Sequence, residues 1–164
     1  MNLDTRLFGK IEFDDNRTIA FPRGLVGFAN MKRFLVIEDD ALAPFRWLQC
    51  IDVPSVAFAV IPPLIFRPDY RVPISADEAD DIGYHPGDDI LVLAVSALAR
   101  EAENITANLQ GPLVVNSRTM QGIQVVLSSR AHGVREPICR ELENVEGHVA
   151  LLSDCVRQDA VVVG

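Results

Sequence analysis

The chain has 164 residues, of which 49% are hydrophobic and 23% charged, with a formal net charge of −8. That length and apolar content suit one folded domain with its own core, and they exclude disorder as the dominant state. The acidic balance, with Lys10 and Lys32 as the lysines, argues against nucleic acid as a direct partner, because phosphates are bound by clustered cations. An acidic protein can still reach nucleic acid indirectly, by binding a basic nucleic-acid-binding protein. The start, Met1-Asn2-Leu3-Asp4-Thr5-Arg6, has no basic segment ahead of a long apolar run, so no signal peptide is expected. The longest apolar stretch, residues 90–98, is broken by Ser96 and is too short to span a bilayer. The expected compartment is therefore the cytoplasm, with no membrane partner. Cys50, Cys139 and Cys155 are odd in number and widely spaced, which fits reduced thiols. Cys139, His148 and Cys155 lack the close ligand pair of a zinc site, so no metal is expected.

The dominant period along the chain is two. Gly9-Lys10-Ile11-Glu12-Phe13 alternates polar and apolar residues, as a half-buried strand does. Asp14-Asp15-Asn16-Arg17 is a turn signal and Thr18-Ile19-Ala20-Phe21 resumes as a strand, which predicts a hairpin. Residues 22–28 read as a loop whose glycines permit positive φ. Strands are predicted at 34–38, 46–52 and 56–61, the last stopped by Pro62-Pro63. Tyr70-Arg71-Val72 is short and extended. Ser75-Ala76-Asp77-Glu78 fits a capping box, so one short helix is expected at 76–82, stopped by Gly83. Residues 90–95 are continuously apolar, which predicts a strand buried on both faces. Further strands are predicted at 105–109, 113–116 and 122–127, with Gly122 supplying a left-handed residue to the turn before the last.

Many short strands with regular turn signals, and no strand–helix alternation, predict an all-β, mainly antiparallel fold: a compact β-barrel-like single domain with one short helix. Its core candidates are Phe13, Ile19, Leu35, Trp47, Phe58, Leu91, Leu93, Val115 and Val125. The domain is expected over residues 1–138. Residues 139–164 form a C-terminal extension, read as a small helix or strand or a mobile end.

No catalytic constellation is visible. His85, His132 and His148 each adjoin a glycine or proline in a predicted loop, and no Gly-x-Ser-x-Gly elbow occurs. Phosphate-cradling glycine loops are absent, so neither an enzyme nor a cofactor is expected. The informative residues are of another kind. Pro44-Phe45-Arg46-Trp47-Leu48-Gln49-Cys50, Phe66-Arg67-Pro68-Asp69-Tyr70 and residues 106–116 are aromatic, proline-punctuated and amide-rich, the composition of a shaped binding surface. Phe66 and Tyr70 surround Asp69 in a predicted loop. Such rings either give a partner contact area at small entropic cost or pack beneath their own loop. Asp69, Asp77, Glu78, Asp80, Asp81, Asp88 and Asp89 make an acidic run, and no Lys or Arg lies between Arg71 and Arg100. Such a run is a solvated face or a patch that steers a basic partner; the spacing does not match an EF-hand. Asn108 and Asn116 stand at predicted strand ends, where amides cap turns or bind a partner's backbone.

Five segments, in order, carry a resemblance: Phe21-Pro22-Arg23-Gly24-Leu25-Val26-Gly27-Phe28, Phe45-Arg46-Trp47-Leu48-Gln49-Cys50, Phe66-Arg67-Pro68-Asp69-Tyr70, Thr106-Ala107-Asn108-Leu109-Gln110-Gly111-Pro112-Leu113-Val114-Val115-Asn116 and Gly122-Ile123-Gln124-Val125-Val126-Leu127. Together they resemble the flagellar assembly factor FliW family. Cys50 departs from it, standing where a small hydroxyl residue is expected. Ala131-His132-Gly133 stands where a tyrosine is usual, and the residues after Ile138 run past the typical family end. The resemblance implies a compact antiparallel barrel without enzymatic activity and with two protein partners. One is flagellin, the filament subunit. The other is CsrA, a small dimeric RNA-binding protein that represses flagellin translation. It further implies an allosteric relief of CsrA repression, with newly made flagellin competing for the protein. On that footing the expected partner contacts are Phe66, Asp69, Tyr70 and Asn108, supported by Asp77 and Glu78, in a protein that is a monomer when alone. The rival readings are a barrel holding a flavin or another small ligand, and a flagellin chaperone that never meets CsrA.

Overall fold

The computed structural model describes residues 1–128, 131–143, 156–157 and 161–163. β1 (Asn2–Thr5) and β2 (Gly9–Glu12) form a separate antiparallel ribbon. Thr5 closes its turn: its Oγ1 donates to the Gly9 carbonyl at 2.8 Å and accepts from the Phe8 N–H at 2.9 Å. The hairpin expected between residues 9–13 and 18–21 does not form. The second strand pairs back to β1, and residues 18–21 instead supply β3 (Ile19–Ala20) to the main sheet. A period of two identifies a strand but says nothing of its partner. β1 itself carries Leu3 as its only large apolar residue, too little pattern to be seen.

The main sheet continues with β4 (Arg33–Glu38), β5 (Arg46–Cys50) and β6 (Ala57–Ile61). β7 (Val72–Ile74) leads into helix α1 (Ala76–Asp81). Then follow β8 (Ile90–Ala97), β9 (Thr106–Ala107), β10 (Leu113–Asn116), β11 (Gln121–Gln124), β12 (Glu136–Pro137), helix α2 (Cys139–Glu143), β13 (Val156–Arg157) and β14 (Val161–Val163). β3, β4, β5, β6 and β8 pair in succession, all antiparallel. β8 also pairs with β10, β10 with β11, and β11 returns to β3 in a parallel contact. These seven strands close into a barrel-like ring, which removes the exposed edges of an open sheet. The mainly antiparallel all-β expectation is met, with α2 as a second short helix beyond the one expected.

β8 shows how the core is divided. Ile90, Val92 and Ala94 join one buried cluster, while Leu93, with Leu91 and Val95 packed against it, joins the other. The strand is buried on both faces, as its unbroken apolar run predicts. One cluster collects Phe21, Phe34, Leu48, Val60, Leu93 and Leu113 from around the ring and is the barrel interior. The other lies between the barrel wall and an outer layer made of residues 63–74, α1 and the buried Val161.

Of the predicted core positions, Ile19, Leu35, Leu93, Val115 and Val125 are buried. Phe13, Trp47, Phe58 and Leu91 are half-buried. Trp47 meets the Phe8 ring edge-on at 6.0 Å between centroids, and Phe58 meets Phe28 edge-on at 5.4 Å and Phe34 at 6.4 Å. Gly122 does not supply the turn's left-handed residue; Met120 does, at a φ of 56°. Gly122 lies inside β11, where a Cβ would fall 2.7 Å from the Phe21 ring. Its missing side chain makes room for a core ring, which sequence spacing cannot reveal.

The C-terminal extension, in its described residues, pairs with the domain. β13 joins β8, and β14 runs parallel to β7. His148 and Cys155, named in the zinc reading, lie outside the described residues.

Candidate partner-binding surface

The 66–70 loop hangs from a short turn of helix at Pro63–Ile65. Phe66 is only 7% exposed and Tyr70 2%. The Tyr70 hydroxyl donates to the Leu109 carbonyl at 2.6 Å, and burial pushes its phenol well above the usual range. His132 meets the Tyr70 ring edge-on at 5.0 Å, in the place where a second tyrosine was expected. Arg67 ties the loop down from the other side. Its Nη1 donates to Glu136 at 2.8 Å, and its Nε and Nη2 form a fork on the Glu141 carboxylate of α2. Asp69 is left exposed between two anchored rings. Phe66 and Tyr70, expected at the partner contact, have no surface to offer; they hold the loop that presents Asp69.

Asn108 is half-buried, and its Oδ1 accepts from the Gln110 and Gly111 N–H groups at 3.2 and 2.9 Å. It thereby builds the turn between β9 and β10. Asn116 is fully buried, and its Nδ2 donates to the Ile82 carbonyl at 3.1 Å and to Asp88 Oδ2 at 2.9 Å. Asp88 also accepts from Arg118 Nε and from the His85 N–H, at 2.9 and 2.8 Å. The Arg118 guanidinium first, and then the His85 N–H, hold its carboxyl far below the ordinary carboxylate range. Asp88 therefore drops out of the acidic face and belongs to the framework.

Of the remaining acids, Asp77, Glu78, Asp80 and Asp81 lie on α1, while Asp69 and Asp89 lie outside it. The predicted capping box is present: the Glu78 N–H donates to Ser75 Oγ at 3.1 Å, and the Ser75 N–H donates to Glu78 Oε1 at 2.9 Å. Gly83, at a φ of 62°, follows the helix end. Asp77 and Asp80 are exposed, while Glu78 and Asp81 are half-buried. Asp81 Oδ2 lies 2.9 Å from Nη2 of Arg23, on the loop across from the helix.

That 23–29 loop and α1 enclose a cleft of about 280 Å³, lined by Arg23, Leu25, Val26, Ala29, Glu78 and Asp81 among others. Gln124 pins the loop, accepting from the Val26 N–H at 2.8 Å while donating to the Gly111 carbonyl at 2.9 Å. Gly24 has a φ of 67°, and a Cβ there would sit 2.6 Å from the Phe28 carbonyl oxygen, so the loop's path requires glycine. Val26 is 65% exposed and Phe28 39%. From the sequence this segment reads as a loop and part of the family resemblance, with no contact residue named in it. The available signal was two large apolar residues in a glycine-punctuated loop, where no core demands them. Among the described residues no three His, Cys, Asp or Glu side chains are grouped to hold a metal ion. No described helix is long and apolar enough to cross a membrane.

Cys50, the other departure noted in the sequence, is fully buried in the barrel interior. Its Sγ accepts from the Val53 N–H at 3.3 Å, and burial raises its thiol pKa. A small acceptor is what the position uses.

Comparison with known proteins matches this architecture as a whole. The model of the FliW protein family matches residues 2–138. The chain is 34% identical over 149 residues to the flagellar assembly factor FliW of Caldanaerobacter subterraneus subsp. tengcongensis, covering 90% of this chain and 99% of that protein. It is 35% identical over 137 residues to that of Geobacter sulfurreducens, covering 84% and 86%. A crystal structure of the flagellar assembly factor FliW superposes with a TM-score of 0.78 at 25% identity, over 84% of this chain and 96% of the other. Motif order, ring closure and these likenesses agree, and the chain belongs to the FliW family.

Proposed function

We propose that this protein is a flagellar assembly factor that acts by binding flagellin and the translational regulator CsrA. Family membership across residues 2–138, on a shared barrel, is the observation that carries this reading. Binding to CsrA relieves its repression of flagellin translation by an allosteric route. Newly made flagellin competes for the protein and frees CsrA, so that synthesis follows export. The protein works in the cytoplasm and is a monomer when alone.

The surface chemistry supports a basic partner. Asp69 stands exposed on the 66–70 loop and Asp77 on α1, where Glu78 is half-buried, in a chain of net charge −8. Such a face speeds encounter with a basic RNA-binding protein and repels RNA phosphates from the complex. The barrel interior also favours a binder of proteins over a barrel holding a flavin. Phe21, Phe34, Leu48, Leu93 and Leu113 fill it with fully buried side chains.

Isothermal titration against the host's CsrA and, separately, its flagellin, at two salt concentrations, tests the proposal. Both should bind, each should exclude the other, and higher salt should weaken the CsrA complex. Binding to flagellin alone would leave only the chaperone reading, and binding to neither would overturn the proposal. Asp69→Lys should weaken CsrA binding in a protein that still folds. An unchanged affinity would remove Asp69 from the contact.

A further inference from the structure

We infer that the cleft between α1 and the 23–29 loop is a receptor for one cationic side chain, an arginine or lysine that a basic protein partner presents between apolar residues. This rests on the proposed function, because it assigns a docking point to the basic partner of that reading. The volume, about 280 Å³, is enough for one long side chain. The buried Leu25 and Ile123 line the cleft and can pack against the methylenes of such a chain. Asp81 supplies a carboxylate, Glu78 adds one that also accepts from the Ser75 N–H, and exposed Asp77 and Asp80 on the same helix add to the negative potential. Val26 and Phe28 offer exposed apolar surface on the same loop for the residues flanking the cation.

Asp81 is the centre of the argument. Its Oδ2 is shielded from solvent and makes no hydrogen bond, although Arg23 stands 2.9 Å away. The Arg23 side chain is 70% exposed, and an ion pair of that kind contributes little stability. Asp81 also ends α1, where the helix dipole disfavours a negative charge. The carboxylate thus lies in a concave site, ion-paired with an internal cation whose side chain is mostly exposed. A partner's arginine entering with hydrogen-bonding geometry replaces Arg23 at this oxygen.

Titration of variants against the host's CsrA tests this. Asp81→Asn keeps the shape and should weaken binding roughly fivefold. Ala29→Trp, which blocks the cleft, should weaken it about tenfold or more, with circular dichroism confirming the fold. Arg23→Ala should tighten binding about twofold, because the competing internal cation is gone. Asp40→Asn, an acid that does not line the cleft, serves as the control for net charge and should leave affinity unchanged. If the wild-type protein binds while Asp81→Asn and Arg23→Ala match it, the cleft is not the receptor and the proposed function stands. Equal weakening by Asp81→Asn and Asp40→Asn would reduce the effect to net charge and also overturn the inference. If the wild-type protein does not bind, both readings fall together.

Discussion

The 66–70 loop and the 23–29 loop make opposite use of their apolar residues. In the first, the rings on either side of Pro68 turn inward: Phe66 and Tyr70 belong to the outer core, while Pro68 and Asp69 reach solvent. In the second, Gly24 and Gly27 take positive φ and Leu25 is buried, while Val26 and Phe28 stay exposed beside a cleft. Composition left both roles open for the rings of the first loop, the family resemblance pointed to them as contacts, and the second was read only as a glycine-containing loop. Exposure is decided by whether a loop's backbone is free to approach the core, and composition does not encode that.

Substitutions can break this comparison in order of expected effect. Phe66→Ala should destabilise the protein by about 3–5 kcal/mol, as large-to-small changes in a packed core do. Denaturant unfolding measures it, and a loss below 1 kcal/mol, far short of that range, would mean the ring is not a core element. Tyr70→Phe leaves the buried Leu109 carbonyl without its donor and should cost about 1–3 kcal/mol. Partner affinity of the folded variant should stay at the wild-type level, whereas a contact role would lower it.

The Asp88 framework answers to pH. Its carboxyl titrates below the ordinary value of 3.8 in the folded state, so its contribution is fully present above that value and is lost as pH falls below it. Acid unfolding of Asp88→Asn should accordingly be less steep than that of the wild type below about pH 4. Asp52, whose carboxyl is also lowered, would remain responsible for part of the slope. Identical acid profiles would show that Asp88 is not coupled to folding. The smallest effect is expected at Val26→Ser, which should change stability by less than about 0.5 kcal/mol because the side chain is already exposed. Thermal melts of the two proteins should coincide, and a clear drop would place Val26 in the core after all.

Much of the architecture was legible in the sequence. The capping box at Ser75–Glu78 marked α1 because its two hydrogen bonds are local, set by residues three apart. The double burial of β8 was legible because a strand with two apolar faces has no polar alternation. The β1–β2 pairing and the role of Gly122 were not, since each depends on a residue distant in sequence: Asn2 opposite Glu12, and Phe21 against Gly122. Within the candidate surface, Asp69 and Asp77 are exposed and Glu78 is half-buried, a difference that charge in the sequence does not show. Asp88 was assigned to the same run because sequence spacing could not show Arg118 and Asn116 converging on it. The cleft was missed because it joins a loop near the start of the chain to a helix in its middle.

The sequence by itself determined the family, the strand-rich class, the helix and the acidic character, all of which reside in local patterns and composition. The tertiary structure alone decided that seven strands close into a ring, and which acids face solvent and which aromatics do not. The reason is physical. Local preference is set by neighbours a few residues apart, whereas closure, burial and charge pairing are settled by contacts between residues that meet only when the chain has folded.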